Sequence, residues 1–277
     1  MAKYKDKHAA TKSKKTKLLI IGSLFIVLIG ICLYFVGYYA YQVYQVNHEV
    51  KQETKLTKQV VKKTKKSTTT HLGTSDEGSM DINWEKLKRI NPNIKAWIYI
   101  PQTRINYVVL QGADNTFYLH HDETDKASTS GQLFFDYRQK PNFSEKNSFI
   151  YGHDMFDGSR FTDLVKYADK DYFNAHRKVY VYTRTKRYDG TVFATQSNSG
   201  TSKAHTMGFS NGAEMTDYID YMKSRSDVQA NDVATSSISK LLTLWTCTGV
   251  ATVDDAGQPV SADKSRTFVS VSLKEHR

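Results

Sequence analysis

The chain has 277 residues and a formal charge of +11, a balance that would ordinarily suggest a nucleic-acid partner. Fourteen lysines against Asp6, Glu49 and Glu53 in residues 1–66 account for all of it, so residues 67–277 are formally neutral and hold no excess charge for a phosphate backbone. Two cysteines, Cys32 and Cys247, rule out a disulfide scaffold.

Residues 1–17 are a basic tail, and Leu18 to Tyr41 is a run of 24 residues without a charge. As a helix it would be roughly 36 Å long, enough to cross ~30 Å of hydrocarbon with some tilt. Tyr34, Tyr38, Tyr39 and Tyr41 cluster at its end, where an aromatic belt would sit. Seven lysines precede the run, and only Lys51, Lys55 and Lys58 follow it closely. That bias predicts a single-pass signal anchor at 18–41, with the N-terminus cytoplasmic and the bulk of the chain outside the cell membrane. The run is too long for a cleaved signal peptide, and no small-x-small site follows. Cys32 then lies within the membrane as a packing residue, leaving Cys247 as the one thiol outside it.

Residues 42–80 are Lys-, Thr- and Ser-rich and read as a solvated linker. From Asp81 to Arg277 the chain is long enough for one domain with its own core. "INWEKLKRI" (82–90) predicts a short amphipathic helix ending before Pro92. Eight β-like runs follow, at 96–100, 106–111, 132–137, 148–151, 179–183, 191–196, 241–246 and 267–273. They are rich in Val, Ile, Tyr, Phe and Thr and are separated by turn residues. Helices are expected at 159–168 and at 212–225, where Met215, Tyr218, Ile219 and Met222 form one apolar stripe. The fold class is mostly β: a closed, mostly antiparallel barrel of about eight strands with peripheral helices. His120-His121-Asp122 is the one metal-like triplet, but neighbours on an extended segment face opposite ways, so no metal and no cofactor are expected.

Three residues at strand ends can carry chemistry. Cys247 closes "TLWTC" and runs into a turn at Gly249, which suits a rim position; a thiol there needs a neighbour to become a nucleophile. His153 follows the strand "SFIY" directly, after Gly152, and an imidazole can exchange protons with a thiol and a leaving amine. Arg266 in "SRTFVSV" precedes the last strand and could hydrogen-bond a developing oxyanion or hold a substrate backbone.

The order His, Cys, Arg at strand edges resembles the sortases, membrane-anchored cysteine transpeptidases of Gram-positive bacteria. "TLWTC" resembles their TLxTC signature, "YGH" their histidine segment and "SRTFV" their arginine strand, with Trp245 at a position where small residues are more usual. "AWIYIPQTRINYVVLQGADNTFYLHHD", "GQLFFDYR", "NSFIYGHDM" and the long helix ahead of the cysteine strand resemble class B, although the stretch 248–265 is longer than is common there. The resemblance covers Asp81 to the C-terminus. It implies a sortase-type barrel and a transpeptidase with Cys247 as nucleophile, His153 as general acid and base, and Arg266 stabilising the oxyanion or substrate. It further implies that secreted proteins bearing an NPxTx-like, less often LPxTG, sorting signal are cut after Thr through a thioacyl-enzyme. The acyl group would pass to an amine of a lipid II-type peptidoglycan precursor. The alternatives within this frame are a pilus-assembly enzyme using a pilin lysine, and a non-catalytic surface binding domain. L,D-transpeptidases carry an SxGC element that "LWTCT" lacks, and papain-like peptidases place Cys before His.

Overall fold

The computed structural model describes residues 2–63 and 77–276, with side chains over 21–62 and 77–276. The tail's side chains and residues 64–76 of the expected linker lie outside them. The chain forms two units, Met1–His48 and Glu49–Arg277.

In the first unit a helix, α1 (Ala2–Val60 in full), carries the apolar run. Its large apolar side chains are turned outward, with Leu24, Phe25, Leu33 and Phe35 each more than 60 % exposed. An apolar surface of this extent is excluded from water and suits hydrocarbon, so this helix is a candidate membrane anchor.

The second unit begins earlier than Asp81. Residues 49–60 remain helical, and Val61–Lys63 pairs antiparallel with Met80–Ile82. Leu56 and Val60 are buried in the core, so this part of the expected linker is packed rather than solvated. Its apolar residues are sparse but spaced a helical turn apart, which gives one buried edge to an otherwise polar helix.

Next comes α2 (Trp84–Ile90), capped by the Asn83 side chain, which accepts from the Lys86 N–H at 2.9 Å. Eight strands then build the barrel: β1 (Ile94–Tyr99), β2 (Asn106–Leu110), β3 (Leu133–Phe135), β4 (Asn147–Tyr151), β5 (Lys178–Thr183), β6 (Arg187–Ser199), β7 (Leu241–Cys247) and β8 (Ser265–Glu275). Their spatial order is β8-β7-β4-β3-β2-β1-β5-β6, and β6 pairs with β8 to close the circuit. The β2–β3 and β4–β7 ladders are parallel and the others antiparallel, so the barrel is mixed. Trp97, Phe134, Phe149, Phe193 and Phe268 fill the core with almost no exposed surface.

Helices cover the outside. The stretch Thr162–Ala168 is a 3-10 helix that starts later than the expected 159, because Asp154 and Arg160 are bridged and Arg160 sits at φ +58°. α3 (Lys170–Ala175) follows. α4 (Gly212–Ser224) buries Met215, Tyr218, Ile219 and Met222, the stripe its spacing predicts. Asn211 accepts from the Glu214 N–H at 2.9 Å and Glu214 accepts from the Ser210 N–H at 2.7 Å, a two-way cap.

Candidate active site

Register fixes the site. Strands β4 and β7 run parallel with Tyr151 opposite Trp245, and the Gly152 N–H donates to the Trp245 carbonyl at 3.2 Å. Two residues beyond that pair, His153 and Cys247 leave their strands at the same end of the barrel. Across the other edge of β7, Cys247 lies directly opposite Arg266 in antiparallel register. Adjacent strands are about 4.8 Å apart, so Cys247 and Arg266, paired across two strands, and His153, two residues past the end of the third, gather at one end of the barrel. Arg266 is the second residue of β8 rather than the one before it.

Alternation puts Trp245 and Cys247 on one face of β7, and Phe268 and Arg266 on the same face of β8. The Arg266 guanidinium lies over the Trp245 ring, 5.1 Å from its centroid. Its Nη1 donates to the Asp263 and Ser265 carbonyls at 2.7 and 2.8 Å. Among the described residues its buried Nε has no hydrogen-bond partner. Trp245 fits its position because Tyr151 and Phe268 meet it edge-on and His205 stacks on it at 6.0 Å. Gly200 gives it room: a Cβ there would come within 3.3 Å of Arg266 and 3.5 Å of Trp245.

Cys247 is half-buried and free of any disulfide. Gly249, two residues on, turns the chain at φ +66°, a conformation glycine adopts without strain. His153 is half-buried, with its Nε2 2.8 Å from the Leu119 carbonyl oxygen. A carbonyl only accepts, so Nε2 carries the proton and Nδ1 is the nitrogen left for chemistry. Burial pushes the His153 pKa down, and the nearby His120 and Arg160 push it the same way against the Leu119 bond. The imidazole is therefore neutral at pH 7, with a lone pair on Nδ1 able to take a thiol proton.

Behind this row lies a polar network that the sequence did not reveal. Asp136, fully buried, accepts from Arg138, Asn115 and Tyr151. Burial would raise its pKa, but these hydrogen bonds hold the carboxyl well below the usual range. The Tyr151 hydroxyl donates to Asp136 at 2.8 Å, so His205, 2.8 Å away, must donate its Nε2–H to that hydroxyl. His121 stacks on Phe117 with ring centroids 3.9 Å apart, and Asp122 caps a turn through Thr124 and Lys126.

A thiol, an imidazole and a guanidinium at one end of a closed mixed barrel are the groups that chemistry through a sulfur nucleophile would require. The Sortase domain family matches residues 98–259, a span that holds His153 and Cys247 and stops short of Arg266. Sortase B of Listeria monocytogenes is 33% identical over 180 residues, covering 63% of this chain and 73% of that protein. The crystal structure of Staphylococcus aureus sortase B superposes with a TM-score of 0.62 at 26% identity, covering 70% of this chain and 87% of that one. A Bacillus anthracis protein similar to sortase B gives 0.59 at 29%, covering 70% and 83%. The chain belongs to the sortase family of cysteine transpeptidases, in its class B branch.

Proposed function

We propose that this chain is a membrane-anchored transpeptidase that cuts an NPxTx-like sorting signal after Thr and joins the new acyl end to an amine of a cell-wall precursor. The observation that supports this most is the row His153–Cys247–Arg266 at one end of the barrel. In the proposed cycle His153 Nδ1 takes the Cys247 proton as the sulfur attacks the Thr carbonyl carbon. Arg266, opposite Cys247, uses a guanidinium N–H to hydrogen-bond the oxyanion that forms. The imidazolium returns its proton to the departing amine, the C–N bond breaks, and a thioester remains. An acceptor amine then attacks the thioester and gives a proton to His153, which passes it to the departing Cys247 sulfur as the C–S bond breaks, restoring the thiol and the neutral imidazole.

The thioester conserves acyl bond energy, so one amide is exchanged for another without an outside energy source. An anchor at 18–41, with the N-terminus cytoplasmic and residues 49–277 extracellular, would hold the site beside lipid-linked precursor and emerging substrate. The Staphylococcus aureus sortase B relative was solved as a substrate complex, which agrees with a peptide lying at such a rim.

The test is Cys247→Ala in the full-length protein in detergent, assayed on an NPxTx peptide with hydroxylamine as surrogate acceptor. Cleavage should fall below a thousandth of the parent rate, about 4 kcal/mol of lost transition-state stabilisation, with the fold intact by circular dichroism. Turnover equal to the parent overturns the reading.

A further inference from the structure

We propose that Glu49 and Glu53, at the start of the second unit, are positioning residues that hold the two backbone segments gripping His153. This rests on reading His153 as the acid–base group. Neither glutamate belongs to the barrel, and both precede the strand pairing at Val61–Lys63.

Glu49 works on one segment. Its carboxylate accepts from the Ser128 hydroxyl at 2.9 Å and from the Thr129 and Ser130 N–H groups at 3.1 and 3.2 Å. Residues 128–132 fold back on 118–120: the Ser128 N–H donates to the His120 carbonyl at 2.9 Å, and the Gln132 N–H to the Tyr118 carbonyl at 2.8 Å. The approach is close enough that a Cβ at Gly131 would lie 2.5 Å from the Leu119 carbonyl oxygen. That same oxygen accepts from His153 Nε2.

Glu53 works on the other. It forms an ion pair with Arg160, both groups being almost fully buried, and it also accepts from Gln132 at 3.0 Å. The Arg160 Nε donates to the Gly131 carbonyl at 2.9 Å, so one guanidinium ties both segments together. Arg160 is bridged to Asp154, and the Phe161 N–H next to it donates to the His153 carbonyl at 2.9 Å. The imidazole is thus held from its ring side through Leu119 and from its backbone side through Arg160. An apolar pair of equal volume would stabilise the fold as well as a buried ion pair does. What the carboxylates add is direction.

The charged and dipolar groups facing His153 are Arg160 and His120 on the packed loops and the Leu119 carbonyl, with Asp154 next in sequence. Removing the Glu53 charge leaves Arg160 unbalanced and should move the acid limb of the kcat pH profile to lower pH. Removing the Arg160 charge should move it to higher pH. The experiment uses the full-length protein in detergent with the NPxTx peptide and hydroxylamine, comparing Glu53→Gln, Arg160→Gln and His153→Ala. Glu53→Gln and Arg160→Gln should each lower kcat roughly tenfold at nearly unchanged KM, with limbs displaced in opposite directions. Limbs that stay in place or move together overturn the inference. Parent-like activity in His153→Ala would instead overturn the acid–base reading. Should Glu53→Gln lose its near-ultraviolet circular dichroism, Glu49→Gln takes its place: a lowered kcat at constant KM supports the clamp, and a parent kcat refutes it.

Discussion

With Nε2 of His153 donating to Leu119, the acid–base role proposed for this imidazole falls to Nδ1. Burial and two neighbouring basic groups depress its pKa, so the base form is already populated below pH 6.5. The acid limb of kcat/KM for peptide cleavage should therefore lie below 6.5; a limb above that value would show that another group titrates. Arg266→Lys should lower kcat about 10²-fold in the same assay, because the single lysine nitrogen, if held at the Asp263 and Ser265 carbonyls, cannot also present a second nitrogen to the oxyanion as a planar fork does. At this scale the sequence showed where reactive residues leave their strands: Cys247, His153 and Arg266 were each expected at a strand end, and each is at one. It did not show His205, whose bond to Tyr151 joins residues 54 apart, nor the Leu119 carbonyl, since any residue type supplies one.

The eight strands were legible because β-branched and aromatic residues cluster between turn formers. Their ends were not. β6 and β8 extend past the expected 191–196 and 267–273 because residues such as Asn198 and Ser265, polar enough to read as loop, are paired and buried. Gly152 shows a different limit. As a glycine before histidine it suggested a turn, whereas the structure gives a packing reason: a Cβ there would meet Leu133 at 2.3 Å and Phe161 at 2.8 Å, both fully buried. Gly152→Ala should then destabilise the protein by about 1–3 kcal/mol in denaturant unfolding and displace His153, lowering cleavage as well. The helix α4 was fully legible from its stripe, whereas α3, six residues long, has too few turns to show a period.

For the molecule as a whole, composition alone placed a linker where part of a domain lies. Lysine and threonine outnumber apolar residues in 49–63, and only tertiary contact reveals that Leu56, Val60 and Glu53 are buried. A fragment starting at residue 81 should be less stable than one starting at 49 by on the order of 5 kcal/mol, since it exposes that apolar surface and leaves Arg160 an unpaired buried charge. Chemical denaturation of the two fragments measures the difference, and equal midpoints would show that 49–63 is dispensable. A last consequence concerns timing. The strand that seals the barrel against β6 is also the one that delivers Arg266 opposite Cys247. Ring closure and completion of the row are therefore a single folding event: until β8 docks, Cys247 faces an open sheet edge with no guanidinium opposite it.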